Sequence, residues 1–171
     1  TSYTVKMYGS MDGDDWVGAQ EVIAVAYDTP IPGYKTNNTI NLRLWDARPS
    51  APTAFDLAAF NAGDYGKAYA DKQAIEDICA VLYPGDGTPQ GKELRLKQQY
   101  LLCSATLQDL VARFKERTAR AGEELVWENL PTKVVVQLND THPTLGIPEL
   151  MRILVDEEGL DWDRAWAICT K

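Results

Sequence analysis

The stretch Lys133-Val134-Val135-Val136-Gln137-Leu138-Asn139-Asp140-Thr141-His142-Pro143 decides the fold class. Its first six residues form a nearly continuous apolar run that stops at a polar cluster. Short apolar runs without alternation belong to strands covered on both faces, as in the parallel sheet of an α/β domain. The residues after such a strand lie at its C-terminal end, where open α/β sheets place their ligand sites. Asn139, Asp140, Thr141 and the chain's one histidine, His142, gather there. An amide, a carboxylate, a hydroxyl and an imidazole can donate to and accept from a polyhydroxylated ligand. The same four residues also suit an Asx-type turn and helix cap that serve no ligand.

Upstream, residues 1–50 read as β. Tyr3 to Tyr8 alternates, Asp12-Gly13 supplies a turn, Glu21 to Tyr27 forms a second strand and Thr39 to Trp45 a third. Asp28 to Gly33 reads as an irregular connection, because Pro30 and Pro32 cannot donate to a ladder. The layer they form is antiparallel or mixed. From residue 53 to 117 the period becomes helical. Asp64 is placed to cap a helix running to about Leu82, and a long helix spans about Lys92 to Arg117. Residues 118–131 read as a linking loop. A strand over 133–138 and helices from about Ile147 to Glu157 and from Trp162 onward complete the pattern, with Pro148 tolerable in a first helical turn.

The 171 residues carry a formal net charge of −8, which disfavours nucleic acid as a partner. The longest apolar run, Val22 to Tyr27, is too short to cross a bilayer, so no membrane partner is expected. No apolar signal segment opens the chain, and its first residue, Thr1, indicates that the start of the coding sequence is missing. Cys79, Cys103 and Cys169 sit in apolar helical contexts and lack metal-ligand spacing. They read as buried free thiols, and no metal site is expected.

Two further segments bear on chemistry. Gly85-Asp86-Gly87-Thr88-Pro89-Gln90-Gly91-Lys92 invites comparison with a phosphate-binding loop, but the glycine spacing fails and Glu93 stands where Ser or Thr is needed. It reads either as a mobile loop carrying Asp86 over a site or as an ordinary helix–helix connection. Lys92, Arg95 and Lys97 place cations near a helix N-terminus, against the macrodipole. A requirement for positive charge at an anionic substrate would explain them, and so would a solvated face with carboxylate partners. Two Asn-x-Thr sequons are read as chance, and Asp12-Gly13-Asp14-Asp15 lacks the remaining ligands of a calcium loop.

Several strings resemble hallmarks of the α-glucan (glycogen or starch) phosphorylases. They are Val136 to Arg152 (VQLNDTHPTLGIPELMR), Tyr27 to Tyr34 (YDTPIPGY), Asn41 to Trp45 (NLRLW), Leu82 to Asp86 (LYPGD), Gly91 to Gln98 (GKELRLKQ) and Thr106 to Asp109 (TLQD). They occur in the family's order across nearly the whole chain. Tyr34-Lys35-Thr36 and Leu101 to Ala105 are closer in wording to plant, algal or bacterial members than to animal ones.

The resemblance implies a fragment of the N-terminal Rossmann-like domain of a two-domain glycosyltransferase-B-type fold. It implies transfer of glucosyl units from the non-reducing end of an α-1,4-glucan to phosphate, giving glucose 1-phosphate. Pyridoxal phosphate, held by a lysine of the C-terminal domain, would relay a proton through its phosphate. Matched residue by residue, Asp140 and His142 fall beside the glucosyl pocket, Arg95 falls close to it, and Asp86 falls on a gating loop of Gly85, Asp86, Gly87 and Thr88. No catalytic or cofactor-binding residue is expected within the chain, so these residues alone should be inactive. The intact enzyme is expected to be a homodimer of the cytoplasm or plastid. The loop Gly87 to Gln90 lacks the aromatic residues that animal members use to stack planar inhibitors. A non-catalytic glucan-binding module and a phosphate-independent maltodextrin hydrolase are the alternatives.

Overall fold

The computed structural model describes residues 1–50 and 55–171. The start of the expected helical region, at residues 53 and 54, lies outside them. The reading of 1–171 as one partial domain meets a chain that divides into two compact units, Thr1–Gln98 and Gln99–Lys171. The boundary falls inside one long helix.

In the first unit, β1 (Ser2–Met7), β4 (Gln20–Pro32) and β5 (Thr39–Pro49) form an antiparallel sheet in the order β1-β4-β5. β2 (Ser10–Asp12) and β3 (Asp15–Val17) make a separate hairpin turning at Gly13. The alternation seen in the sequence has its physical counterpart in the register. Val5 faces Val22, and Ala24 faces Ala47, so one sheet face carries the buried Val5, Met7, Val22, Ala24, Trp45 and Ala47.

β4 overturns the irregular connection expected at Asp28 to Gly33, since Pro30 pairs with Asn41 and Pro32 with Thr39. The reason is the direction of their nitrogens. The Ala26 N–H donates to the Thr1 carbonyl (3.0 Å), on the β1 side. Pro30 and Pro32 share that parity, and β1 pairing ends at Ser2 opposite Val25, so both nitrogens face an open edge. Proline costs no ladder bond there.

α1 (Leu57–Asn61) and α2 (Tyr65–Ala80) follow. Asp56 and Asp64 cap them, accepting from Ala59 N–H (2.9 Å) and Lys67 N–H (3.1 Å). Phe55, Phe60 and Tyr69 stack between them, with centroids 5.1 Å apart for Phe55 and Tyr69. α3 (Pro89–Ala121) is 33 residues long, roughly 50 Å at the usual rise, and extends beyond both expected ends.

The second unit holds the rest of α3, a 3₁₀ turn at Trp127–Asn129, α4 (Leu130–Lys133), a second 3₁₀ turn at His142–Leu145, α5 (Gly146–Arg152), a π-helical turn at Ile153–Glu157, and α6 (Trp162–Cys169). The expected loop at 118–131 therefore contains the end of α3 and two short helical turns. Leu107, Val111, Phe114, Trp127, Met151, Leu154 and Ile168 form the core. The buried strand expected at 133–138 is absent: Lys133 closes α4, the Val134 N–H donates to the Leu130 carbonyl (2.9 Å), and residues 135–139 carry no regular secondary structure. Val135 is 94% exposed. A strand needs a neighbour to satisfy its backbone, and all strand pairs among the described residues lie within residues 1–50.

Candidate functional site

Asp140 adopts the left-handed backbone region (φ 68°), which a short polar side chain tolerates better than most. Its Oδ1 accepts from the Thr141 N–H (2.7 Å) and the Thr141 hydroxyl (3.3 Å). The Thr144 N–H and hydroxyl both donate to the Thr141 carbonyl, at 3.1 and 2.6 Å, and lock the 3₁₀ turn that begins at His142. This turn holds the Asp140 carboxylate 66% exposed, with Oδ2 3.8 Å from His142 Nε2. On its other side, the His142 ring meets Gln99 of α3, whose Nε2 lies 2.8 Å from Nδ1. The polar cluster is thus both a local turn and an exposed carboxylate beside a half-buried imidazole.

A buried network missed by the sequence reading anchors the helix behind it. Glu149, 3% exposed, accepts from Tyr100 Oη (2.9 Å), Ser104 Oγ (2.6 Å) and the Arg152 guanidinium. Gln108 Nε2 donates onward to Ser104 Oγ (3.0 Å). Burial and the Glu149 charge push the Tyr100 hydroxyl pKa up. Burial alone would disfavour the Arg152 cation, but its bonds to Glu149 and Glu157 outweigh that and raise its pKa. A signal existed in the sequence: Glu149 lies one turn before the apolar Ile153 and three residues before Arg152, on an otherwise apolar helical segment.

In the first unit, Asp86 and Arg95 are brought together as an ion pair, Nη1 to Oδ2 at 3.0 Å. Thr88 caps α3, its hydroxyl accepting from Gly91 N–H (3.1 Å) and its carbonyl from Lys92 N–H (3.1 Å). A side chain on Gly91 would collide with the Gly85 carbonyl, so the loop closes against the first turn of the helix. Lys97 pairs with Glu93 (3.1 Å) and lies over the Tyr8 ring (4.8 Å), while the Tyr8 hydroxyl donates to Glu93. The Tyr8 hydrogen bond first, then Lys97, hold the Glu93 carboxyl pKa down. Two of the three cations at this helix start therefore have carboxylate partners.

A cavity of about 530 Å³ in the second unit is lined by Asp109, Arg113, Phe114, Arg117, Lys133 and Val135 among others, and by none of the predicted site residues. Among the described residues, no cluster of His, Cys, Asp and Glu could hold a metal, and no helix is long and apolar enough to cross a membrane. Pyridoxal phosphate requires a desolvated lysine for its imine. None of the described lysines is buried, so the residues present do not fit that cofactor.

A family model described as carbohydrate phosphorylase matches residues 1–171. The chain is 58% identical over 172 residues to the alpha-1,4 glucan phosphorylase L-2 isozyme, chloroplastic/amyloplastic, of Solanum tuberosum, covering 98% of this chain and 17% of that protein. It is 56% identical over 173 residues to alpha-glucan phosphorylase 1 of Arabidopsis thaliana, covering 98% of this chain and 18% of the relative. Against the alpha-glucan phosphorylase H isozyme of Vicia faba it is 54% identical over 174 residues, 99% of this chain and 20% of the relative. The chain spans about a fifth of the length of these curated relatives, and over that whole span it belongs to the carbohydrate phosphorylase family.

Proposed function

We propose that these residues form part of an α-1,4-glucan phosphorylase. It moves a glucosyl unit from the non-reducing end of glycogen, starch or a maltodextrin to phosphate and releases glucose 1-phosphate. The observation that carries this reading is the Asp140–His142 turn, which presents a carboxylate beside an imidazole within a chain matched to the family from end to end. Glucosyl transfer passes through an oxocarbenium-like state, and a fixed carboxylate near the ring stabilises its charge. In this role Asp140 orients and stabilises, and His142 holds a glucosyl hydroxyl. Arg95 and Asp86 form the root of a gating loop that includes Gly85, Gly87 and Thr88. Opening their 3.0 Å ion pair releases the loop, and closure expels water that would otherwise hydrolyse the glucosyl unit.

The finer fold assignment is a Rossmann-like N-terminal domain in a glycosyltransferase-B-type enzyme. The apolar run Val134 to Val136, leading into the polar turn, supports it. Pyridoxal phosphate belongs in this reading to residues outside the 171. The enzyme would be a homodimer. Two of the relatives named above differ in kind, an L isozyme called chloroplastic/amyloplastic and an H isozyme, and either plastid or cytoplasm suits this chain.

The test is glucose 1-phosphate release from a soluble α-glucan by the full-length enzyme that contains these residues, with and without phosphate. Release should require phosphate, and Asp140→Asn or His142→Ala should lower kcat/KM by roughly 10²-fold, the scale of losing one oriented polar group at a transition state. Release of glucose without phosphate, or full activity in both variants, would overturn the reading.

A further inference from the structure

The contact between Gln99 and His142 has a chemical consequence. A neutral imidazole carries one proton, and the hydrogen bond made by one ring nitrogen decides which nitrogen holds it. The Gln99 amide presents its nitrogen, which can only donate, 2.8 Å from His142 Nδ1. With the amide in this orientation Nδ1 accepts, which places the proton of a neutral ring on Nε2. That nitrogen is the one turned toward Asp140, whose Oδ2 is 3.8 Å away. The ring thus offers a donor on the side where the exposed carboxylate offers acceptors.

We propose that Gln99 is the positioning residue that fixes His142 as the Nε2–H tautomer. The Asp140–His142 turn then presents one N–H donor beside one carboxylate acceptor, a pair matched to neighbouring hydroxyls of a sugar. This deepens the glucosyl-site reading and rests on it for the identity of the ligand, but the tautomer itself can be measured without any substrate. The supporting geometry is local and well held. Gln99 sits on α3 one residue before Tyr100 and one turn before Cys103. Tyr100 is tied to the buried Glu149, and the Cys103 thiol donates to the Pro143 carbonyl (3.7 Å). The helix that carries Gln99 is therefore tethered to the turn that carries His142, at Pro143, and to the helix that follows it, at Glu149. Among the titratable groups nearby, Asp140 faces the ring, while Tyr100 turns its hydroxyl to Glu149 and Cys103 its thiol to the backbone.

His142 is the sole histidine of the 171 residues, so its ring nitrogens give unambiguous signals after ¹⁵N-histidine labelling. Long-range ¹H–¹⁵N correlation of the chain near neutral pH should show an unprotonated Nδ1 and a protonated Nε2. Gln99→Glu is the discriminating variant, because a carboxylate only accepts. In it Nδ1 should carry a proton, either as the opposite tautomer or as the imidazolium held between two carboxylates. Gln99→Met keeps the side-chain length and removes the amide, and should leave a mixture of tautomers. Far-UV circular dichroism and a cooperative thermal transition verify that the native chain and each variant are folded. A protonated Nδ1 in the native chain, or an unprotonated Nδ1 in Gln99→Glu at the same pH, would overturn the assignment. Unchanged activity in the full-length enzyme when Gln99→Glu has moved the proton to Nδ1 would count against the glucosyl-site reading only.

Discussion

Glu149 and Arg152, three residues apart on α5, form a two-pronged ion pair. Nε and Oε2 are 2.8 Å apart and Nη2 and Oε1 are 2.9 Å apart, with the carboxylate almost wholly out of water. A buried carboxylate is tolerable only when its oxygens are fully satisfied, and here Tyr100 and Ser104 complete the set. The Tyr100 and Ser104 hydrogen bonds tie Glu149, and with it α5, to α3.

Breaking that pair from one side should be costly. Arg152→Met leaves the Glu149 charge buried with only neutral donors, and roughly 3–5 kcal/mol of stability should be lost. Glu149→Gln, which keeps an acceptor for Tyr100 or Ser104, should cost less, about 1–3 kcal/mol. Urea unfolding followed by tryptophan emission measures both, and equal small losses would mean the network contributes little.

Glu128 reports on pH. Its hydrogen bond from Arg164 is the largest influence holding its carboxyl pKa down to about 2, against a usual value near ~4.3. Because the folded pKa is depressed, the pair's stabilisation is fully present above the unfolded value and is lost as pH falls through about 2. Carboxyl ¹³C titration should place Glu128 among the lowest midpoints, and Arg164→Gln should return it toward an ordinary value.

The three cysteines should be sluggish nucleophiles. Burial first, and the Asp46 charge second, push the Cys79 thiol up to about 11. Burial likewise raises Cys103 and Cys169. Near pH 8, a disulfide reagent such as DTNB should react with all three more slowly than with a small free thiol and speed up in denaturant. Of the three, which the sequence reading took as buried, only Cys103 is fully so, while Cys79 and Cys169 are half-buried. Fast labelling of Cys103 in the native chain would contradict its burial.

Gly91→Ala tests the closure of the 85–91 loop. The added methyl would meet the Gly85 carbonyl and force the loop off the helix start, and Thr88→Ala would remove the cap alone. The cap should be worth about 1 kcal/mol, and the collision about 1–3 kcal/mol. Backbone amide exchange at residues 85–92 should rise in both variants, more in Gly91→Ala.

Much of the chain was legible in its residues. Tyr3 to Tyr8 and Thr39 to Trp45 alternate, and both are strands whose register puts the apolar set on one face. Asp64 was readable as a cap, and it accepts from Lys67 N–H. Segments like these obey rules local to a few residues, and those rules are complete in the sequence. The family strings were legible for the same reason, since they are contiguous.

Tertiary structure decided what depends on a neighbour. Whether Pro30 and Pro32 may sit in a strand turns on which side of β4 is open, a property of β1's length rather than of the prolines. Whether Val134 to Leu138 becomes a strand turns on a pairing partner, because extended backbone is sheet only when another chain segment takes its hydrogen bonds. The donor side of His142 was equally beyond reach, since Gln99 lies forty-three residues away in sequence and only folding sets its amide against the ring. Local periodicity fixes which faces are apolar, and long-range contact fixes which polar groups meet.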